Sequence, residues 1–165
     1  DLPKLHQALK TELLATPYTG LINDIICCPG GDFCALANAK SIPIAEAVQR
    51  RFDNFAIQKN IGPITLNISG CMNACGHHHV GNIGILGVDK KGEEFYQVAL
   101  GGSADRDAAI GKVLGPSFAQ DDMPDVIEKI INVYLQNRHS NELFIDTFNR
   151  IGIEPFKEHV YAKAD

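Results

Sequence analysis

The sequence has little positive charge, no long hydrophobic run and no N-terminal secretion pattern. No apolar stretch approaches the roughly 20 residues that cross a bilayer, which excludes a membrane-spanning helix. Lys and Arg number 15 against 20 Asp and Glu, a net charge of −5, so the basic surface of a nucleic-acid-binding protein is lacking. The first residues, DLPKLHQALK, lack the charged and apolar segments of a signal peptide. We therefore expect a cytoplasmic protein that binds neither membranes nor nucleic acids.

The cysteine content argues against a disulfide framework. An odd number of cysteines without a secretory signal is a poor basis for paired disulfides. Thiols that cluster in two short stretches of a cytosolic protein are more often metal ligands or catalytic groups. The five cysteines are Cys27, Cys28, Cys34, Cys71 and Cys75.

Hydrophobic patterns predict two helices and two strands in the first half of the chain. Leu5, Leu9 and Leu13 recur at helical spacing. Pro43 suits the first turn of a later helix. Both predicted strands run directly into cysteine-containing loops. The predicted elements are a helix over 3–15, a buried strand over 21–28, a helix over 41–58 and a strand over 64–70.

The stretch GNIGILGVDKKGEEFYQVALGG predicts a β-hairpin. Its turn is DKKG, in which Gly92 can adopt a positive φ. On the return strand Tyr96, Val98 and Leu100 would share one face, because side chains alternate along a strand.

The last third of the chain is predicted to be helical. DDMPDVIEKIINVYLQNRH begins with acidic residues and a proline, and ELFIDTFNRIGIEPFKEHVYA continues as a helix broken near Gly152 and Pro155. The first of these helices carries an apolar stripe formed by Ile127, Ile130, Ile131 and Tyr134. We predict one compact α+β domain over residues 1–165, with a mixed or antiparallel sheet flanked by helices and cysteine loops at strand ends.

The spacing of the cysteines favours an iron–sulfur cluster. Five residues separate Cys28 from Cys34, and three separate Cys71 from Cys75. Four thiolates on this scale can reach four irons around a cube, whereas zinc usually takes tighter knuckles. Zinc and unliganded thiols remain alternatives on spacing alone. Cys27 is interpreted as a small buried hydrophobe, although it could replace Cys28 as a ligand.

Three consecutive histidines follow the second cysteine pair. Side chains of His77, His78 and His79 must point in different directions, so at most two could face a common ligand. We interpret them as lining a polar loop, hydrogen-bonding backbone or facing a partner domain. A zinc site built from Cys71, Cys75 and two of the histidines is the alternative.

Two stretches, CPGGDFC and NISGCMNACGHHHVGNIGILG, closely resemble the cluster-binding half of the sirohaem-dependent sulfite and nitrite reductases. That family carries a C-x₅-C and a C-x₃-C motif, the second in a G-C-x-N-x-C-G context that Asn73 and Gly76 match here. EFYQVALGG and IGIEPFKE resemble the downstream part of the assimilatory sulfite reductase haemoprotein. The likeness covers residues 21–161.

The resemblance implies both cofactors and a reaction. Cys75 would also be the axial ligand of the sirohaem iron, which makes it the candidate catalytic residue, with Asn73 and Gly76 beside the sirohaem. Electrons would come from a ferredoxin or flavoprotein and reduce a small oxyanion, sulfite to sulfide or nitrite to ammonia. The implied ligands of the [4Fe–4S] cluster are Cys28, Cys34, Cys71 and Cys75.

The chain also departs from the family. Members are far longer, and the Lys and Arg residues that hold the anionic substrate come from the other half. No Lys or Arg accompanies the Cys75 motif, and His77 stands where relatives often carry a basic residue. We expect a C-terminal portion of a longer reductase that is inactive without its N-terminal half. GHHHVGNIGILGVD and EFYQVALGG favour sulfite over nitrite, and a [4Fe–4S] electron-transfer module without sirohaem is a further alternative.

Overall fold

A computed structural model describes residues 1–12, 14–105 and 107–162. These residues form an α+β fold, which confirms the predicted class, and none of their helices combines the length and apolar character needed to cross a membrane. The strands are β1 (Ile26–Cys27), β2 (Leu66–Ser69), β3 (Ile83–Lys90), β4 (Glu93–Leu100) and β5 (Lys112–Val113). The helices are α1 (Leu2–Thr11), α2 (Ile42–Arg51), α3 (Phe55–Ile61), α4 (Met123–Asn137), α5 (Phe144–Ile151) and α6 (Glu154–Tyr161).

The five strands form one mixed sheet in the order β1-β2-β3-β4-β5. The first two pairings are parallel and the last two are antiparallel. β3 and β4 form the predicted hairpin, and Lys91 and Gly92 have φ of 61° and 87° in its turn. Positive φ at both central residues is typical of the tight turns that suit twisted strands. The prediction for Gly92 is confirmed.

The core lies between the sheet and the C-terminal helices. Tyr96, Val98 and Leu100 are fully buried on one face of β4, as predicted. The apolar stripe of α4 is at most 2% exposed, and α4 contacts α2, α5 and α6. Burial of this stripe is the main reason that α4 forms here, since helices in proteins gain most of their stability from packing.

The prediction of a buried strand over 21–28 was wrong in extent. Only Ile26 and Cys27 pair with β2, and Ile26 is 51% exposed. The preceding residues form a turn, in which the Asp24 N–H donates to the Leu21 carbonyl at 2.8 Å. Ile22 is buried from this turn. The apolar run therefore reflects the burial of a turn, not a continuous strand.

Two helix predictions change, and the predicted break near Gly152 and Pro155 is confirmed. The helix expected over 41–58 is two helices, because the Asn54 side chain accepts from the N–H groups of Ala56 and Ile57 and starts α3. The last helical stretch breaks at Gly152, with φ of 75°, while Pro155 lies in the first turn of α6. α1 ends at Thr11 and buries none of its residues. Leu13, predicted to extend its stripe, lies outside the described residues.

Candidate metal centre

The topology brings both cysteine motifs to one edge of the sheet. β1 and β2 are parallel, with Cys27 opposite Ile68, so their carboxyl ends meet at the same edge. Cys28 follows β1 directly, and Cys71 follows β2 after one glycine. We call the two loops that begin here, residues 28–41 and 69–80, the cysteine face.

The first loop is tightly wound around a short 3₁₀ turn at Gly30–Asp32. The Cys34 N–H donates to the Gly30 carbonyl at 2.9 Å, and the Gly31 N–H donates to the Ala39 carbonyl at 2.9 Å. These bonds fold the loop back on itself and hold Cys34 near the start of the loop.

The two loops are hydrogen-bonded to each other. The N–H groups of Asn38 and Ala39 both donate to the Gly70 carbonyl, at 2.9 and 3.0 Å. The Gly70 N–H donates to the Cys28 sulfur at 3.1 Å. A Cβ on Gly70 would lie 2.6 Å from the Ala39 carbonyl oxygen, so only glycine permits this approach. The structure thus brings the first motif against the second.

The second loop contains two residues in the left-handed region. Ala74 and His77 have φ of 56° and 53°, which is uncommon outside glycine. The loop turns at Ala74, whose N–H donates to the Cys71 carbonyl at 3.2 Å. A Cβ on Gly76 would overlap the Ile68 carbonyl oxygen, so the loop lies directly against β2. Such strained backbone is common at functional sites.

Two polar side chains of β2 support this loop from below, and the sequence analysis missed both. The Ser69 hydroxyl accepts from the Gly76 N–H at 3.1 Å, and the Asn67 side-chain amide donates to the His77 carbonyl at 3.1 Å. Asn67 and Ser69 are 4% and 1% exposed. The signal was present, because polar residues two apart in a buried strand share one face and need partners.

The sequence profile of one family, described as "Nitrite and sulphite reductase 4Fe-4S domain", matches residues 20–165. The chain belongs to this 4Fe-4S domain family. All four cysteines of the two motifs lie within the matched region. The resemblance read from the sequence is therefore confirmed at the level of the family.

Individual relatives of this 4Fe-4S domain are named as different enzymes. A "Sulfite reductase [ferredoxin]" of Mycobacterium tuberculosis (strain ATCC 25618 / H37Rv) is 30% identical over 131 residues, which is 73% of this chain and 23% of the relative. A "Cobalt-factor III methyltransferase" of Priestia megaterium is 30% identical over 154 residues, 92% of this chain and 27% of the relative. The chain thus spans about a quarter of the length of these relatives.

A solved structure shares the fold of this 4Fe-4S domain. The structure of the Mycobacterium tuberculosis NirA protein superposes with a TM-score of 0.78 and 26% identity. The match covers 94% of this chain and 30% of that protein. The likeness therefore extends from the cysteine face through the C-terminal helices.

The donor set of this domain fits a cubane cluster better than a single ion. All five cysteines are free thiols, and four of them lie on the two hydrogen-bonded loops. Across residues 1–12, 14–105 and 107–162, no three His, Cys, Asp or Glu side chains converge where one metal ion would be held. The structure does not assemble the alternative zinc site from Cys71, Cys75 and the histidines. A cubane spreads its thiolate ligands over four irons and does not require them to meet at one point.

The four thiols differ in exposure. Cys71 is buried, Cys28 and Cys34 are partly buried, and Cys75 is exposed. Asn73 is exposed in the same loop. The second motif therefore offers one sulfur to the interior and one to the surface.

The histidine run divides between the interior and the surface. His77 and His79 are exposed, but His78 is only 6% exposed and its ring centroid lies 4.0 Å from that of His79. Burial lowers the pKa of His78 to about 4, and the neighbouring His79 contributes to the shift. His78 is therefore neutral at physiological pH. His77 and His79 are exposed, as lining a polar loop or facing a partner domain requires, whereas the side chain of His78 is buried.

Cys27 behaves as the small hydrophobe that its position suggests. Its side chain packs partly buried against the core, and its sulfur donates to the Cys28 carbonyl at 3.2 Å. Burial raises the pKa of the Cys27 thiol to about 11, and Cys28 adds to the shift. A protonated thiol is a poor metal ligand.

The cysteine face is an open surface bordered by apolar side chains. Phe33, Leu36 and Met72 are 79%, 73% and 81% exposed. Two cavities of about 590 and 540 Å³ lie elsewhere among the described residues, and neither is lined by a cysteine. A ligand bound at the cysteine face would contact the residues of that face on one side, and its other side would remain exposed.

Proposed function

We propose that Cys28, Cys34, Cys71 and Cys75 bind a [4Fe–4S] cluster and that this chain is the cluster-binding domain of a sulfite reductase. The observation that carries the proposal is the contact between the two motifs, in which the Gly70 N–H reaches the Cys28 sulfur at 3.1 Å. Family membership supports the cluster, and the named sulfite reductase supports the reaction. When bound, the cluster and a sirohaem would supply one-electron storage and an iron that holds the substrate.

The exposure of the second motif suits a division of labour between its cysteines. Buried Cys71 would hold the cluster away from water, while exposed Cys75 would bind the cluster and also the sirohaem iron. Cys75 is thus the candidate catalytic residue. Asn73 would contact the sirohaem edge, and Gly76 would keep the loop close to β2 so that Cys75 stays oriented.

Because the cysteine face is open, a cofactor bound there would need a second protein surface to cover it. Exposed Phe33, Leu36 and Met72 form an apolar border of the kind that marks interaction surfaces. We infer that residues 1–165 form one domain and that the N-terminal half of the same reductase covers this face. Residues 69–80 contain no Lys or Arg, and Lys40 in the other loop pairs with Asp32 at 3.5 Å. The cations that bind sulfite would therefore come from that half.

The remaining partners follow from the relatives and from the chemistry. The name of the Mycobacterium relative makes ferredoxin the preferred electron donor, with a flavoprotein as the alternative. Five free thiols suit the reducing cytoplasm. Sulfite is the preferred substrate, and nitrite, which the family description also names, is the alternative.

The test is anaerobic reconstitution of the purified chain with iron and sulfide. We expect about four irons per chain, a broad visible absorption and an EPR signal on reduction. Cys71→Ser should lose the cluster, and Cys27→Ser, the matched control, should keep it. One zinc per chain without iron would overturn the proposal.

The reconstituted chain alone should not form sulfide from sulfite with a chemical electron donor. Formation of sulfide would contradict the need for the N-terminal half.

A second candidate function rests on the Priestia relative. That match covers 92% of this chain, more than the 73% of the sulfite reductase, at the same identity. Its name is that of a methyltransferase, so the domain also occurs outside sulfite and nitrite reductases. The alternative is a [4Fe–4S] electron-transfer module without sirohaem. Reconstitution together with the missing N-terminal half and sirohaem separates the two. A reductase domain should show sirohaem absorption that changes in Cys75→Ser, whereas a pure electron-transfer module should retain no sirohaem.

A further inference from the structure

Ser41 occupies a helix-capping position without capping the helix. It directly precedes α2, where a serine usually accepts a hydrogen bond from the second or third N–H of the helix. Its side chain makes no such bond. Ser41 is completely buried, and its hydroxyl oxygen lies 3.5 Å from the Cys28 sulfur. The hydroxyl has been diverted from the helix to the thiol.

The backbone of both cysteine loops leaves room for this hydroxyl. A Cβ on Gly30 would lie 2.6 Å from the Ser41 oxygen, and a Cβ on Gly70 would lie 2.9 Å from it. Both distances are shorter than real Cβ contacts allow. The hydroxyl therefore sits between one glycine of each loop, at the point where the two loops meet.

The residue before Ser41 is fixed to the sheet. The buried Tyr96 hydroxyl donates to the Lys40 carbonyl at 2.8 Å, and the Lys40 N–H donates to the Glu94 carboxylate at 3.0 Å. Tyr96 and Glu94 both belong to β4. The start of α2 is thus held in place by the hairpin, which keeps the Ser41 hydroxyl directed at Cys28.

We infer that Ser41 donates a hydrogen bond to the Cys28 sulfur and tunes the cluster that this sulfur holds. The inference rests on the proposed ligation by Cys28. A thiolate bound to iron has no hydrogen to donate, so Ser41 must be the donor of the pair. With the Gly70 N–H at 3.1 Å, Cys28 then receives two donors.

The expected consequence is a higher reduction potential. A hydrogen bond to a cluster ligand stabilises the reduced form more than the oxidised form, because the reduced cluster carries more negative charge. Removing the Ser41 hydroxyl should therefore make the cluster harder to reduce. Ser41 is a positioning and tuning residue, since it acts through Cys28.

The experiment is an EPR-monitored redox titration of the reconstituted 165-residue chain. Ser41→Ala should lower the ratio of reduced to oxidised cluster at a fixed potential by roughly threefold, which is about 28 mV at 59 mV per tenfold change. Thr147→Val, which removes an equally buried hydroxyl from α5, should leave the potential unchanged. An unchanged potential in Ser41→Ala, with about four irons retained, would overturn the inference.

A second readout uses the wild-type protein. Complete exchange in D₂O labels both donors to the Cys28 sulfur, so electron–nuclear double resonance of the reduced cluster should detect two strongly coupled deuterons, one from the Gly70 N–H and one from the Ser41 hydroxyl. Detection of only one such deuteron would overturn the inference even if Ser41→Ala fails to retain iron. A wild-type chain that binds no cluster would instead overturn the proposed function, so the two failures are distinguishable.

Discussion

The cysteine face and the helical layer formed by α4, α5 and α6 are held together in different ways. In the helical layer, large side chains pack on each other, with the Phe144 ring 5.4 Å from Tyr134 and 5.8 Å from Phe156 between centroids. In the cysteine face, the close contacts are hydrogen bonds from backbone to backbone, to sulfur and to small polar side chains. Its own large side chains, such as Phe33 and Met72, remain on the surface.

This difference indicates that the helical layer stabilises the fold, whereas the cysteine face is adapted to bind a ligand. The helical layer buries its apolar surface within the chain, so it should fold without any cofactor. The cysteine face keeps strained backbone and exposed apolar groups, which are the features of a surface built to receive a ligand. The variants below should therefore affect one region and spare the other.

The largest expected effect is the loss of the cluster in Gly76→Ala. The added Cβ would overlap the Ile68 carbonyl oxygen and push the second loop away from β2. Iron content after reconstitution should fall from about four per chain to background, while far-ultraviolet circular dichroism stays close to wild type. Gly111→Ala, whose Cβ would lie 3.3 Å from the Ala99 methyl group, is the control and should keep its iron. Equal iron retention in both variants would contradict the described packing of the loop.

The next effect is a loss of stability in Phe144→Ala. Phe144 is fully buried, so truncation should lower the free energy of unfolding by roughly 3–5 kcal/mol, measured with urea. Phe33→Ala, at a side chain that is 79% exposed, should change it by less than about 0.5 kcal/mol. Comparable losses in the two variants would mean that the cysteine face also contributes to the folded core.

The smallest expected effect is a pH dependence at the edge of the helical layer. The Arg150 side chain donates to the Glu142 carboxylate at 2.8 Å and, with the His139 N–H, holds the pKa of Glu142 well below its usual value of 4.5. A depressed carboxylate pKa stabilises the fold above the unfolded value, and the stabilisation disappears as the pH falls through the folded value.

Wild type should therefore be more stable than Glu142→Gln at pH 7, and the gap should shrink as the pH falls below 4.5. Urea midpoints measured across this range provide the test. The same comparison with the exposed Glu158→Gln should give a smaller gap. A gap for Glu142→Gln that grows towards acidic pH would show that the ion pair does not stabilise the folded state.

The sequence predicted the helical layer and the hairpin better than the cysteine face. The stripe of α4 and the positive φ of Gly92 follow from local periodicity and turn chemistry, which one segment contains by itself. The separate start of α3 was missed, although Asn54 is a favourable capping residue. A continuous apolar run also concealed the turn that buries Ile22.

The candidate site was predictable in its cysteines but not in its supports. Strand ends and spacing placed two cysteine loops together, and parallel pairing of β1 with β2 provides the reason. Asn67 and Ser69 stand out as polar residues in a buried strand, but neither their partners nor the role of Ser41 could be assigned from spacing. The partners of these three residues are a carbonyl, an N–H and a sulfur that only the folded loops bring near.

The half-buried Cys27 also affects how this domain reacts with electrophiles. With a pKa of about 11, its thiol stays protonated at neutral pH and attacks alkylating reagents slowly. With the other four cysteines binding the proposed cluster, Cys27 would be the one unreactive thiol. In a sample that has lost part of its cluster, a brief treatment with an alkylating reagent would label the released ligands but not Cys27. The number of alkylated cysteines would therefore equal the number of cluster ligands that have been released.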